Sequence, residues 1–318
     1  MIFPMSRLAP ILLIPAFLLG SPATSWTQSK LPGPAATEAQ KALDHAAIGH
    51  CAEAIPELRS VVGRLTDADL KKRVGLAGLR CAMIRNRPYE AVGFLQILSH
   101  DFPRDPEVLY QETKAYSDLS IRASQDLVRE APFSYQVHEL NAEALEVQGK
   151  WDEAAAEYKK ILDIDPNLPG IHYRLGRVLL SKPNPPQEVL DEAKRNFEQE
   201  LKIDPQNAGA EGVLGELARQ ANQCPDAIDH FTRATELDNG FAEAYLGLGS
   251  CLLVEKRYAD AVAPLETAVK LEPGNPAAHY NLATALSRVG RKDEAEREFA
   301  IHRKMQEANT PPPPAPNP

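Results

Sequence analysis

The sequence predicts an all-α fold, a superhelical solenoid of antiparallel helix pairs, from three observations. Helix-ending dipeptides recur at a fixed interval: Asp165-Pro166, Asp204-Pro205, Asp238-Asn239 and Glu272-Pro273 stand 39, 34 and 34 residues apart. Two series of small residues keep the same interval, Ala154, Ala193, Ala227, Ala261, Ala295 and Ala142, Gly176, Gly215, Gly249, Ala283. Between these marks apolar residues fall at helical spacing, with His172, Leu175, Gly176 and Leu179 on one face of a first helix and Ala193, Phe197 and Leu201 on that of a second. A period of 34 shared by three series, with one common five-residue insertion, is the signature of a repeat array.

Composition agrees. The 318 residues are 43% hydrophobic and 25% charged, the balance of a folded chain, and only 6% aromatic. A net charge of −9 without any lysine–arginine stripe argues against nucleic acid, whose phosphates require one.

Taken in order, the chain opens on a segment that reads as a secretory signal peptide over residues 1–25. Arg7 supplies the positive charge, Leu8 to Leu19 the apolar run, and Ala23-Thr24-Ser25 a cleavage site before Trp26. An uncleaved anchor is the other reading, but the run is about twelve residues where a spanning helix needs about twenty. Export to the periplasm or the medium follows, with no stable membrane span in the mature chain. Residues 26–34 form a flexible proline-rich segment, and 310–318 a disordered proline-rich tail. Helix-pair units at 135–168, 169–207, 208–241, 242–275 and 276–309 are clear. Residues 35–134 hold degenerate units, of which Pro103 to Pro132 is a shortened one. The insertion sits at Ser181 to Gln187, where prolines are expected to loop the surplus out of the stack. Each unit buries its faces only against its neighbours, so the array is expected to be one cooperative solenoid. The small residues allow close helix crossings, with Phe197, Phe231 or Phe299 filling the space beside them.

Residues 242–275 resemble the tetratricopeptide repeat family, with Tyr245, Leu248-Gly249, Leu252, Tyr258, Ala261, Ala268 and Pro273 at the family's spacing. The resemblance covers about residues 35–309, strongly after 135. It implies a protein or peptide partner held in a concave groove lined by first helices. Helical phase then places Glu139, Glu143, Tyr173, Arg174, Arg177, Glu216, Arg219, Ser250, Tyr280, Asn281, Thr284 and Arg288 along that groove. Tyr173, Arg174, Arg177, Arg219, Tyr280, Asn281 and Arg288 are the candidate contacts, and the arginines suit an acidic segment. Ordinary solvated charge is the competing reading. The family's carboxylate clamp is not reproduced, because Asn281 lacks lysines beside it.

No motif for catalysis, cofactor or metal stands out, so the chain is read as a non-enzyme with neither. His138, His172 and His279 share one repeat phase and are read as packing substitutes, not ligands. The cysteines share phases as well. Cys51 and Cys224 lie three residues before a second-helix alanine, while Cys81 and Cys251 lie ten before one, so two inter-unit disulfides, Cys51–Cys81 and Cys224–Cys251, are expected in an oxidising compartment. Four small buried thiols are the alternative. The functional expectation is an exported scaffold for an envelope or secreted partner; a self-associating spacer is the second reading, and an enzyme with an unrecognised site the third.

Overall fold

The structure, a computed structural model, describes residues 33–309. The expected signal peptide, most of the 26–34 segment and the 310–318 tail lie outside the described residues. The regular secondary structure of the described residues is fifteen helices without strands, so the all-α expectation holds. Among the described residues no helix is long and apolar enough to cross a membrane.

The chain divides into two compact units, Met1–Ile121 and Arg122–Pro318. The first holds α1 (Pro34–Ala47), α2 (Cys51–Val62), α3 (Ala68–Ile84), α4 (Pro88–Asp101) and the beginning of α5 (Pro106–Glu130). The second holds five helix pairs: α6 (Tyr135–Val147) with α7 (Trp151–Ile164), α8 (Ile171–Leu180) with α9 (Gln187–Ile203), and α10 (Ala208–Gln220) with α11 (Cys224–Leu237). The last two pairs are α12 (Ala242–Val254) with α13 (Tyr258–Leu271), and α14 (Pro276–Arg288) with α15 (Lys292–Asn309).

Two expectations are corrected here. Residues 103–132 form no shortened helix pair but the single 25-residue helix α5. The cause is local: no Gly, Pro or Asn follows Pro106 within it to turn the chain back. The division between the two compact units also falls inside α5, where one continuous stack was expected.

Each tight hairpin is closed by the same device. A left-handed residue ends the first helix at Gly149, Asn222, Lys256 and Gly290. The next amide then reaches back five residues, Lys150 N to Leu145 O (2.9 Å), Gln223 N to Ala218 O (2.9 Å), Arg257 N to Leu252 O (2.8 Å) and Arg291 N to Leu286 O (2.9 Å). This satisfies carbonyls that the helix end leaves free. The insertion departs from its expected course. Part of it does lengthen the loop before α9, but α9 itself has 17 residues against 14 in α7, so nearly one extra turn of helix absorbs the rest.

Small residues do meet large ones between the helices of a pair. A Cβ on Gly176 would lie 2.7 Å from the Phe197 ring, on Gly215 2.8 Å from Phe231, and on Gly249 2.4 Å from Leu265. Gly78 stands likewise against Phe94 in the first unit. The absent side chain is what lets these backbones approach.

The cysteines occupy the predicted phases, with different outcomes. Cys51 is the first residue of α2 and Cys81 lies in the last turn of α3; they are disulfide-bonded, with Cα atoms 5.0 Å apart. Closing a loop over 30 positions of sequence contributes about 3–4 kcal/mol by chain entropy. Cys224 and Cys251 hold the corresponding places on α11 and α12, but they are buried free thiols with Sγ atoms in contact at 2.9 Å. The second expected bond is therefore a hydrogen-bonded dithiol here. Burial first, then the Cys224 contact, pushes the Cys251 thiol up to about 12.

Candidate functional site

The first helices of the second unit carry the predicted contact residues, and the structure sorts them into committed and available groups. Arg174 on α8 is committed. Its guanidinium donates to Glu143 at 2.6 Å and lies 3.6 Å from Glu139, both on α6 of the preceding pair. Buried Tyr158 stands beside it and donates to Glu146 at 2.5 Å. Burial, reinforced by that carboxylate, raises the Tyr158 pKa above its ordinary value. Two glutamates expected on the groove thus serve as an intramolecular clamp on Arg174. Arg219 is committed too, forming two hydrogen bonds of 2.8 and 2.7 Å with Glu216 one turn earlier on α10. That arginine holds the Glu216 carboxyl below its usual range against the opposing effect of burial.

Asn281 bridges two first helices, donating to the Ser250 hydroxyl at 2.8 Å, while Ser250 donates to Leu246 O. Thr284 donates to Tyr280 O within its own helix. Asn281 and Ser250 are thus occupied in joining α14 to α12, and Thr284 by its own helix.

Two exposed cations of the predicted set, Arg177 and Arg288, have no carboxylate partner among the described residues, and each stands over an aromatic ring. Arg177 stands 5.9 Å from the Tyr173 ring centre, and Arg288 stands 5.6 Å from that of Tyr258. Such pairs present a flat surface with a charge at its edge. Tyr173 packs edge-on against Phe197, and its hydroxyl fits against Gly209, where a Cβ would stand 2.7 Å away. Tyr280 has the same repeat phase on α14. It packs against Phe299 and His302 and stays 50% exposed, since α15 is the last helix among the described residues. The predicted residues are therefore not one patch: Tyr173 and Arg177 are together, whereas Arg219, Asn281, Tyr280 and Arg288 stand on other helices with partners of their own.

The histidine phase is corrected. These residues are hydrogen-bonded partners and not simply packing groups: His138 meets Glu157 at 2.7 Å, His172 meets Asn196 at 2.8 Å, and His279 meets Glu298 at 2.5 Å. In the 208–241 unit the pair is reversed, with buried Glu211 at the first-helix position and His230 on the second helix, 2.6 Å apart. Each pair ties the two helices of one unit. Among the described residues no group of three or more His, Cys, Asp or Glu could hold a metal ion.

One residue that positions the site was not foreseen. Glu200 on α9 is completely buried, and its two oxygens accept from Gly170 N at 2.7 Å and Tyr173 N at 3.1 Å. Gly170, the N-cap of α8, has φ +86° and no side chain to cap the helix itself. A carboxylate from the second helix of the same unit supplies the missing acceptors and meets the positive end of the helix dipole. It thereby fixes the backbone from which Tyr173 and Arg177 project. The sequence held a signal: repeat phase gives Ile161, Ala234 and Ala268 at the same position, all buried. A glutamate in that series must find donors.

Comparison with known proteins gives the same picture of the second unit. Residues 147–182, 213–276 and 252–306 each match the tetratricopeptide repeat, so the chain carries repeats of that kind. Among curated proteins, anaphase-promoting complex subunit 3 of Schizosaccharomyces pombe is 21% identical over 232 residues, covering 73% of this chain and 33% of that protein. The chain thus spans about a third of that relative's length. Among solved structures, YrrB, a TPR protein with an unusual peptide-binding site, has a TM-score of 0.50 at 23% identity, covering 59% of this chain and 94% of its own. MamA gives a TM-score of 0.48 at 23% identity, over 57% of this chain and 98% of its own. At such identities the likeness to YrrB is one of fold.

Proposed function

We propose that this chain is an exported, non-catalytic interaction scaffold that holds a peptide or helix of an envelope or secreted protein on the first-helix face of its second unit. The observation that carries the reading is the exposed Arg177–Tyr173 pair on α8, backed by Phe197 and fixed from beneath by Glu200. YrrB, which shares the fold, is by its description a peptide-binding protein, and that supports the class of ligand. An acidic or carboxylate-bearing segment suits Arg177 and Arg288. Arg174 and Arg219 already satisfy carboxylates of the chain itself and so contribute position, not affinity.

The test is cross-linking in the source cell, with captured proteins identified for the wild-type chain and for a Tyr173→Ala, Arg177→Ala variant. Loss of one specific partner in the variant is the expected result, and an unchanged set of partners sinks the groove reading. Cell fractionation with N-terminal sequencing checks export, which requires a mature chain starting near Trp26 in the periplasm or medium. In such a compartment Cys224 and Cys251 would close by exchange with a disulfide oxidant. One deprotonated sulfur attacks the oxidant and releases a thiol, and the second displaces the other half as another thiol. Mass measurement after oxidised glutathione should show the loss of two hydrogens; two remaining alkylatable thiols would refute this.

A further inference from the structure

We infer that the first compact unit holds a second binding site, a groove between α1, α3 and α5 that takes an acidic amphipathic helix of a partner protein. The groove measures about 760 Å³. Its floor is aliphatic, with Leu43 from α1 and Leu76, Met83 and Ile84 from α3. Leu43, Leu76 and Met83 rest on the core of the unit, whereas Ile84 stands 68% exposed at the end of α3. Among the described residues nothing in the unit covers this floor.

Charge decides the occupant. Arg73 and Arg80 both line the groove and both are exposed. Among the described residues neither has a hydrogen-bond or ion-pair partner. The acids beside them have other partners: Asp44 accepts from Gln40 at 2.9 Å, Glu107 pairs with Lys72 at 3.3 Å, and Asp118 has a partner of its own. Lys114 on α5 is turned over the Tyr110 ring. The two arginines are therefore the uncommitted cations of the site, in contrast to Arg174 and Arg219 in the other unit. They stand seven residues apart on one face of α3, which is two turns or about 10 Å. Each offers a planar fork that fits a carboxylate. The complementary ligand is a helix with two Glu or Asp residues two turns apart and aliphatic side chains between them, laid over Leu76 and Leu43. The floor supplies apolar burial and the arginines supply register.

This inference rests on the scaffold reading for its class of ligand but uses none of the residues of the other groove. The test is fluorescence anisotropy on the full chain with labelled leucine-faced helical peptides of about 18 residues, five turns. Their two glutamates are spaced four, seven or eleven residues apart, and a glutamine peptide serves as control. Expected are tightest binding at a spacing of seven, and affinity at least about tenfold weaker for the glutamine peptide and for an Arg73→Ala, Arg80→Ala variant. Because both arginines are exposed, that variant should melt as the wild type does. The Tyr173→Ala, Arg177→Ala variant should bind the peptide unchanged, which separates failure of this site from failure of the other groove. Equal affinity for acidic and glutamine peptides, no loss in the arginine variant, or loss in the Tyr173/Arg177 variant overturns the inference. Binding to phosphatidylglycerol vesicles but to none of the peptides overturns it in favour of a membrane surface.

Discussion

Replacing Glu200 tests the chain of reasoning from burial to function, because a single side chain joins two helices beneath the proposed site. Its carboxylate accepts two backbone amides, Gly170 N and Tyr173 N, in a place without solvent. Hydrogen bonds to a charged group contribute about 1.5–3 kcal/mol each, and a charge at a partly buried helix terminus adds up to about 2 kcal/mol. Burying the carboxylate offsets several kcal/mol of this gross gain. Glu200→Ala removes both acceptors, leaves two part-buried donors without their partner and opens a cavity, so a net loss of about 3 kcal/mol is expected. Glu200→Gln keeps the shape but turns an NH₂ toward a backbone N–H, for a loss of about 1.5–2 kcal/mol. For a unit of this size each kcal/mol moves Tm by roughly 2–4 °C, so the alanine variant should melt about 6–12 °C lower by circular dichroism. The exposed neighbour Glu198, on the same helix, sets the background: Glu198→Ala should stay within about 0.5 kcal/mol. If Glu200→Ala is no worse than Glu198→Ala, or Glu200→Gln matches the wild type, the amides have another acceptor and the capping argument fails.

Substitutions at four other positions bear on the packing and electrostatics. Gly176→Ala places a Cβ 2.7 Å from the buried Phe197 ring and should destabilise by about 1–2 kcal/mol in urea melts, even after the helix propensity of alanine is counted. Gly93→Ala on α4, with nothing within 4 Å, should stabilise by about 0.5–1 kcal/mol; the same sign at both positions would refute the packing account. Lys256, at φ +59°, holds a left-handed position that glycine fills at Gly149 and Gly290, so Lys256→Gly should raise stability by about 1 kcal/mol while Lys256→Ala does not. Burial opposes the charge of Glu157, but hydrogen bonds from Lys160 and His138 outweigh it and hold its carboxyl below the usual range. A depressed folded-state pKa means stability present above the ordinary carboxylate pKa and lost as pH falls through the folded value. The Tm gap between wild type and Glu157→Gln should therefore be steady near neutral pH and narrow in acid; a gap that widens on acidification contradicts the assignment.

What the sequence revealed and what it hid follow from the range of the physics involved. The helix pairs were legible because period, punctuation and small-residue spacing are local, and the unit at 242–275 carries all three. The cysteine phases were legible for the same reason, although Cys51–Cys81 is bonded and Cys224–Cys251 is a dithiol. Helical phase also selected groove residues, but phase reports direction and not occupation. It put Arg174 and Arg177 on the same helix without showing that Glu139 and Glu143 engage the first while the second stays exposed. Nor did it expose the swap of Glu211 and His230, since each looks like an ordinary surface residue until the 19-residue separation is set beside His138–Glu157 and His279–Glu298. The expected shortened pair at α5 fails because the period of the neighbouring units does not outweigh a local fact, the absence of Gly, Pro or Asn after Pro106 within the helix. In the degenerate region before residue 135, Arg73 and Arg80 have no hydrogen-bond or ion-pair partner among the described residues, and they border an open apolar floor. The two units thus leave different cations open: Arg177 and Arg288 over aromatic rings after residue 135, Arg73 and Arg80 beside an aliphatic floor before it.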